Sequence, residues 1–431
     1  MTSIIMNQVF KKIIFYLLQI ESRLVLWKYK PKVITITGSV GKTTAKDAVF
    51  AMLSGVSHVR KSEKSYNSEI GLPLTVLGLP NGWSNLHVWL KNILKGLALI
   101  LFRRKYPEWL VLEVGIGKLG DMKRTASWLK SDAVIVTTIG ETPVHVEFFP
   151  SKKHLVEEKS ELIKTLKKDG LLILNADDET VLEMKTKSKS RVVTYGFKEG
   201  ADVLGSGENI NYSERGVPDG LRLRVDVGGN SLPVAVEGVF GKNHAYAALV
   251  ALALASGLKL NMVEAAERIK KYEFAPGRMR VLEGANETLI IDDSYNSSPT
   301  ATYAALGTLG EIKTAGLSAQ SGRRIAVLGD MLELGKHTDE AHQRAGEVAR
   351  ERSDVLITVG PRSKVMEGDF HFSNSREAGE FLKTFIKKGD LILVKGSQGM
   401  RLERAVEAIL LDQENKANLL VRQESEWLAR E

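Results

Sequence analysis

Residues 38–44 have the types and spacing that hold a phosphate chain. They read Gly-Ser-Val-Gly-Lys-Thr-Thr and follow the β-branched run 33–37. Glycines let backbone N–H groups turn toward an anion, the lysine reaches the β- and γ-phosphates, and the first threonine binds Mg²⁺. The usual loop would have a further glycine where Ile36 stands. A strand before the segment and a helix after it still predict nucleotide binding. The residues expected to contact the nucleotide are Gly38, Ser39, Val40, Gly41, Lys42, Thr43 and Thr44.

A glutamate, a histidine and a lysine follow the next predicted strands. Glu113 ends an apolar run, which places its carboxylate at the sheet edge where ligands bind in open α/β folds. There it could hold Mg²⁺ beside Thr43. His145 follows the strand predicted at 133–137, and Lys159 lies on the helix after it. Lone residues of these types are usually structural, but their place behind a phosphate-binding sheet indicates a second cation site.

Eight segments, in order along the chain, resemble the motifs of the Mur ligases, which are ATP-dependent amide-forming enzymes of cell-wall precursor synthesis. The segments are TGSVGKTT (37–44), NSEIGLPLT (67–75), EVG (113–115), NADD (175–178), PGRM (276–279), DDSYNSSP (292–299), LGDMLELG (328–335) and KGS (395–397). Within the family they are most similar to the members that add D-alanyl-D-alanine. The resemblance does not extend to the N-terminal domain with which such members hold a uridine nucleotide.

The resemblance implies a mechanism. A substrate carboxylate attacks the γ-phosphate of ATP to give an acyl phosphate, and an amine then displaces the phosphate. Lys42, Lys159, His145 and Arg278 would be the catalytic residues. Thr43 and Glu113 would hold one Mg²⁺, and His145 would hold a second Mg²⁺, supported by Lys159 as a carbamate.

The resemblance also implies contacts from the C-terminal part of the chain. Arg278 and Asp293 would close over the phosphates and ribose of ATP, with Tyr295 and Asn296 beside them. The residues expected to contact the acceptor or the amino donor are Asn67, Lys395 and Ser397.

Alternating strands and helices predict an α/β fold with parallel sheets. We expect a central P-loop parallel-sheet ATPase domain over 31–274 and a Rossmann-like α/β domain over 275–431. Glycine-rich turns between alternating runs predict a small antiparallel excursion at 201–240. These domains must bring the segments above together.

Two amphipathic segments lie outside this pattern. The first, residues 1–30, has Met6, Val9, Phe10, Ile13, Leu17, Ile20 and Leu24 at helical spacing, and the second is an insertion at 83–107. No signal-peptide cleavage site follows the first, and its apolar run is too short to span a bilayer. The plain interpretation is that the two helices pack on the domain or on each other. The alternative interpretation is that the two helices bind to a membrane surface.

Composition restricts the partners. The chain of 431 residues has no cysteine, which excludes disulfides and thiolate metal sites. Its net charge of +8 comes without a nucleic-acid-binding motif. We therefore expect a cytoplasmic ligase, or one at the inner face of the membrane, that uses ATP and Mg²⁺ on small-molecule peptidoglycan precursors. The alternatives are a similar ligase acting on a different, for example lipid-linked, carboxylate, and a non-catalytic nucleotide-binding partner in cell-wall assembly.

Overall fold

The structure is a computed structural model. It describes residues 2–63, 66, 69–83, 85–143, 145–214, 216–270, 272–313 and 322–429, with side chains from residue 13 onward except that of residue 426. The chain forms two compact units. The first comprises Met1–Thr138, Lys153–Leu204 and Leu249–Arg268, and the second comprises Ile139–Lys152, Gly205–Ala248 and Ile269–Glu431. This division differs from the predicted boundary near residue 275, because it places 139–152 and 205–248 with the C-terminal residues.

The aliphatic runs of the first part of the chain form a sheet with the order β2-β3-β1-β4-β5-β6-β7-β8-β9. Its strands are β1 (Lys32–Thr37), β2 (Val59–Lys61), β3 (Trp109–Glu113), β4 (Ser131–Val136), β5 (Leu166–Asn175), β6 (Arg191–Gly196), β7 (Val203–Tyr212), β8 (Pro218–Val227) and β9 (Asn230–Glu237). The strands from β2 to β7 pair in parallel, whereas β8 and β9 form an antiparallel hairpin. Every residue of β3 is buried, as expected for a strand covered on both faces. The predicted parallel sheet and antiparallel excursion are confirmed.

Helices connect these strands. They are α1 (Thr2–Tyr29), α2 (Lys42–Ser54), α3 (Gly71–Leu77), α4 (Leu86–Leu101), α5 (Asp121–Ala126), α6 (Lys152–Ser160), α7 (Glu179–Leu182), α8 (Lys242–Gly257) and α9 (Met262–Ile269). The phosphate-binding segment lies between β1 and α2. Parallel pairing of β1 with β3 sets Ile36 opposite Glu113. The Glu113 carboxylate therefore lies at the same edge of the sheet as the phosphate-binding segment.

The second unit contains a separate sheet with the order β10-β11-β15-β12-β13-β14. Its strands are β10 (Arg280–Gly284), β11 (Thr288–Asp293), β12 (Arg324–Gly329), β13 (Val355–Val359), β14 (Phe370–Phe372) and β15 (Leu391–Lys395). Its helices are α10 (Pro299–Glu311), α11 (Thr338–Arg352), α12 (Ser375–Phe385), α13 (Glu403–Ile409), α14 (Lys416–Leu419) and α15 (Ser425–Leu428). All neighbouring strands are parallel except β10, which pairs with β11 in the antiparallel sense. The prediction of a second α/β sheet in the C-terminal part of the chain is therefore confirmed.

The two amphipathic segments form α1 and α4, which pack against each other, and α1 also packs on α3. The predicted apolar stripe of α1 is not its packing face: Ile13, Leu17, Ile20 and Leu24 are exposed, whereas Ile14, Leu18 and Val25 are buried. The helix is apolar on more than one face, and the predicted stripe is a face that α3 and α4 leave exposed. The side chains of Met6, Val9 and Phe10 lie outside the described side chains. None of the described helices is long and apolar enough to cross a membrane.

Candidate active site

The phosphate-binding segment takes a backbone course that its glycines make accessible. Gly38 has φ 147° and Gly41 has φ 83°, and Gly41 is the residue before α2. A Cβ atom on Gly38 would also collide with the side chain of Thr137. The N–H groups of Ser39 and Val40 both donate to the carbonyl of Thr138, at 2.8 and 3.0 Å. The loop is thereby tied to the end of β4, with the amino end of α2 directly behind it.

Two lysines meet at this loop. Lys42 Nζ donates to the carbonyl oxygens of Gly38 and Ser39 at 3.0 and 3.3 Å. Lys159, on α6, is 1% exposed and its Nζ donates to the same Gly38 carbonyl at 2.9 Å. Burial, and secondly the charge of Lys42, hold the pKa of Lys159 well below its usual value. The structure therefore brings the two predicted lysines together around one acceptor.

A carboxylate site lies next to the lysines. Thr43 Oγ1 donates to Glu113 Oε2 at 2.9 Å, and both side chains are buried. Lys46 Nζ lies 3.8 Å from the same Glu113 oxygen and 3.6 Å from Asp47 Oδ1. The predicted pair of Thr43 and Glu113 is thus assembled. Sequence reasoning missed Lys46 and Asp47, although their spacing from Thr43, three and four residues along α2, was the signal available.

Two hydroxyl groups at the loop are buried without a hydrogen-bond partner among the described residues. They are Thr37 Oγ1, at the end of β1, and Ser39 Oγ, inside the loop. Buried polar atoms usually have partners, so such orphans fit a site whose ligand supplies polar atoms. Together with Thr43, they make this sheet edge rich in hydroxyl oxygens. Thr44 instead donates to the carbonyl of Gly41 at 3.0 Å, inside the first turn of α2.

A second group of predicted residues clusters in the second unit. Parallel pairing of β11 with β15 sets Asp293 opposite Lys395, and Lys395 Nζ lies 2.6 Å from Asp293 Oδ2. The same ammonium donates to the carbonyl of Asn296 at 3.0 Å. The guanidinium carbon of Arg278 lies 4.0 Å from the centre of the Tyr295 ring, within cation–π distance. Lys395, which the resemblance assigned to substrate, thus holds a carboxylate assigned to the nucleotide.

Ser397 lies beyond this cluster and is part of a hydrogen-bonded turn. Its Oγ accepts the N–H of Leu332 at 2.8 Å, and its own N–H donates to the carbonyl of Asp330 at 3.0 Å. Asn67 lies outside the described residues.

His145 has a partner that sequence reasoning missed. Its Nδ1 lies 2.5 Å from Glu333 Oε2, and both residues belong to the second unit. The hydrogen bond from His145 lowers the pKa of Glu333. Glu333 lies in the segment 328–335 that carried the resemblance, but no spacing rule links it to a histidine so far away in the chain. The role of His145 as a metal ligand stays a prediction.

Known proteins show the same organisation. The Mur ligase middle domain matches residues 90–255, and the Mur ligase, glutamate ligase domain matches residues 277–398. The UDP-N-acetylmuramoyl-tripeptide--D-alanyl-D-alanine ligase of Bacillus subtilis (strain 168) is 28% identical over 393 residues, which are 88% of this chain and 76% of that protein. Its counterpart in Escherichia coli (strain K12) is 27% identical over 386 residues, with the same shares covered.

Solved structures share the fold. The MurF ligase from Thermotoga maritima in complex with ADP superimposes with a TM-score of 0.74 at 24% identity, covering 91% of this chain and 83% of that one. MurF from Acinetobacter baumannii gives a TM-score of 0.73 at 22% identity, covering 90% and 79%. The two matched domains together cover more than half of the sequence, in the order in which the structure forms its sheets. This chain belongs to the Mur ligase family.

Proposed function

We propose that the chain is an ATP-dependent ligase that joins D-alanyl-D-alanine, or a similar amino donor, to a carboxylate of a peptidoglycan precursor. The observation that carries the proposal is the loop 38–44, with the Thr43 hydroxyl bonded to the Glu113 carboxylate at its edge. The substrate class comes from the relatives, which are named for a UDP-N-acetylmuramoyl-tripeptide and D-alanyl-D-alanine.

The residues at the loop fit ATP with Mg²⁺. Thr43 and Glu113 offer a hydroxyl and a carboxylate oxygen, the hard donors that Mg²⁺ prefers. Thr37 and Ser39 add buried hydroxyls that have no partner within the described part of the chain. Across the described residues there is no group of three or more His, Cys, Asp or Glu side chains that could hold a metal ion by themselves. This suits Mg²⁺, which takes one or two carboxylates and completes its shell with phosphate and water oxygens. When bound, the ion would neutralise charge on the β- and γ-phosphates.

Catalysis in this proposal is mainly positioning and charge neutralisation. The acceptor carboxylate attacks the γ-phosphorus, the bond to ADP breaks, and an acyl phosphate forms. The amino donor then attacks the acyl carbon, loses a proton and expels inorganic phosphate. Lys42 would stabilise the charge that moves toward ADP in the first step. Arg278, Asp293, Tyr295 and Asn296 would hold the nucleotide from the second unit.

We further propose that Lys159 reacts with CO₂ to form a carbamate. Its amine is buried and its pKa lies well below the usual value, so the neutral, nucleophilic form is favoured. The nitrogen of the neutral amine adds to CO₂ and releases a proton, which leaves an anion beside Lys42. That anion would support a second Mg²⁺, with His145 as a ligand.

The carbamate is tested by alkylation with a trialkyloxonium reagent at pH 7.5 under ¹³CO₂, followed by peptide mass spectrometry. We expect a labelled, esterified carbamate on Lys159 only. Lys46 is the internal control, because it is equally buried but lies near Glu113 and Asp47. Label on both lysines, or on neither, would contradict the proposal.

The ligase activity is tested by phosphate release from ATP and Mg²⁺ with UDP-N-acetylmuramoyl-tripeptide and D-alanyl-D-alanine. We expect phosphate and an amide product only when both substrates are present, and a loss of at least about 100-fold in Lys42→Ala. Lys387→Ala, at an exposed lysine of the second unit, serves as the control. Turnover only with a lipid-linked acceptor would favour a different substrate. ATP binding without any turnover would favour a non-catalytic partner.

Contacts to the two substrates are proposed for Asn67, Lys395 and Ser397. The proposed location is cytoplasmic, where ATP and nucleotide-linked precursors occur. We also propose that the packed helices α1 and α4 hold the enzyme at the inner face of the membrane.

A further inference from the structure

Two helices of the first unit each carry an exposed apolar stripe. On α1 the stripe comprises Ile13, Tyr16, Leu17, Ile20, Leu24 and Trp27, and on α4 it comprises Leu86, Leu90, Leu94, Leu97 and Leu101. Trp27 is 76% exposed, which is unusual for so large an apolar side chain. Leucines three to four residues apart on one exposed helix face indicate a surface that contacts something apolar.

The two helices run side by side in the same direction. Glu21 on α1 lies against Gly96, where a Cβ atom would collide with the carboxylate. Seven residues further along α1, Lys28 Nζ donates to the carbonyls of Leu99, Ile100 and Phe102 at 3.0, 2.8 and 2.9 Å, at the end of α4. The two helices are therefore parallel.

This register places both stripes on one side. A helix turns by about 100° per residue, so the position of each residue relative to the contact between Glu21 and Gly96 follows from its number. On α1 the stripe lies about a quarter of a turn from that contact, and on α4 it lies about a third of a turn from it in the opposite sense. Because the two helices are parallel and face each other at this contact, rotations of opposite sense bring both stripes to the same side of the pair. The opposite side of α1 faces α3, where Ser22 Oγ donates to the carbonyl of Pro73 at 3.3 Å.

The charges of the two helices and of the residues just beyond their carboxyl ends have one sign, although Lys95 lies on the side of α4 away from its stripe. Residues 13–30 and 85–105 contain eight cations and one carboxylate, Glu21, which is buried between the helices. The cations are Arg23, Lys28, Lys30, Lys91, Lys95, Arg103, Arg104 and Lys105. A second copy of the chain would bring cations against cations, whereas anionic lipid headgroups would neutralise them. Exposed tryptophan and tyrosine, such as Trp27 and Tyr16, also suit the interface between headgroups and acyl chains.

We propose that the paired stripes of α1 and α4 dock on the surface of an anionic lipid bilayer. The leucines enter the boundary between headgroups and acyl chains, and the basic residues hold the helices at the charged surface. The helices lie on the membrane and do not cross it. The inference does not rest on the ligase reaction, since vesicle binding can be measured without ATP.

The test is co-sedimentation of the full chain with vesicles of phosphatidylcholine alone or mixed with phosphatidylglycerol. We expect binding only to the anionic vesicles, and weaker binding at 0.5 M salt. Leu94→Gln should lower the partition coefficient at least about tenfold, since the variant loses the apolar side chain that Leu94 would bury in the bilayer. The matched control is Leu411→Gln, because Leu411 is 59% exposed in the second unit and Leu94 is 58% exposed. Each of Arg103→Gln and Arg104→Gln should lower binding about fivefold.

Three results would overturn the proposal. The first is no binding of the intact chain to anionic vesicles. The second is an equal loss in Leu94→Gln and Leu411→Gln. The third is a lipid-free dimer, measured by analytical ultracentrifugation, that Leu94→Gln converts to a monomer, because the stripes would then be a subunit interface. Unchanged circular dichroism and ATP binding in Leu94→Gln would establish that the variant is folded.

Discussion

The buried carboxyl group of Glu21 should make the stability of the first unit depend on pH. Glu21 is packed between α1 and α4, and its Oε2 has no hydrogen-bond partner in the part of the chain that the structure describes. Burial raises the pKa of Glu21 from 4.5 to about 7. The folded state therefore favours the neutral acid, and ionisation of Glu21 lowers the free energy of unfolding.

The sign and size follow from the two pKa values. Below pH 4.5 the carboxyl is protonated in both the folded and the unfolded chain, so it adds no pH dependence. Between pH 4.5 and 7 the unfolded chain ionises first, and stability falls by about 1.4 kcal/mol per pH unit. Above pH 7 the loss levels off at about 3 kcal/mol, an upper bound because partial hydration of the carboxylate would reduce it.

Glu21→Gln keeps the shape of the side chain and removes the ionisation. We expect the variant and the wild type to have similar free energies of unfolding at pH 5, and the variant to be more stable at pH 8 by up to about 3 kcal/mol. Urea unfolding from pH 5 to 8.5 measures this difference. Glu351→Gln, at an exposed position of α11, is the control. A difference between Glu21→Gln and wild type that does not change with pH would refute the reasoning.

Three further substitutions test single contacts. Asp293→Asn should lower the free energy of unfolding of the second unit by about 3 kcal/mol, because the buried Lys395 ammonium loses its carboxylate. In urea unfolding, adding Lys395→Met to this variant should restore part of the loss. If the losses of the two single variants simply add in the double variant, the pairing is contradicted. Thr43→Val should lower ATP-dependent phosphate release at least about tenfold while Thr43→Ser stays near wild type, and equal losses in both would argue against a role for the hydroxyl. Gly38→Ala should cost about 1–3 kcal/mol in thermal unfolding because its φ of 147° suits only glycine and its Cβ would meet a side chain; Gly207→Ala, at positive φ but with open space around it, should cost less.

Local patterns were sufficient for the parts of the molecule where one strand or one loop decides the structure. The β-branched run before Gly38 predicted β1, and the parallel edge rule predicted that Glu113 would reach Thr43. Three short strands, β2, β10 and β14, were not predicted. β2 and β14 have three residues each, too few for a period to be recognised, and pairing with longer neighbours stabilises them.

The side of a helix that packs could not be read from periodicity alone. The predicted stripe of α1 was apolar, but the residues one position away, such as Ile14 and Leu18, were apolar as well. The choice between the two faces depends on α3 and α4, whose shape a sequence does not show. The pairing of His145 with Glu333 was missed for a similar reason, because a contact between distant loops has no local signature.

The chemistry of Lys159 follows from its neighbours rather than from its own position in the sequence. An isolated lysine on a helix is ordinarily a solvated cation, yet here α6 inserts its Nζ into the phosphate loop, on a carbonyl that Lys42 also uses. Burial penalises the charge of Lys159, and two ammonium groups on one acceptor also repel each other, so the pKa of the buried Lys159 amine lies well below its usual value. In its neutral form the Lys159 amine is a nucleophile, and the neighbouring Lys42 cation would stabilise the carbamate anion that it forms. This is why reaction with CO₂ is proposed for Lys159 and not for Lys42, which is more exposed and stays at the loop surface.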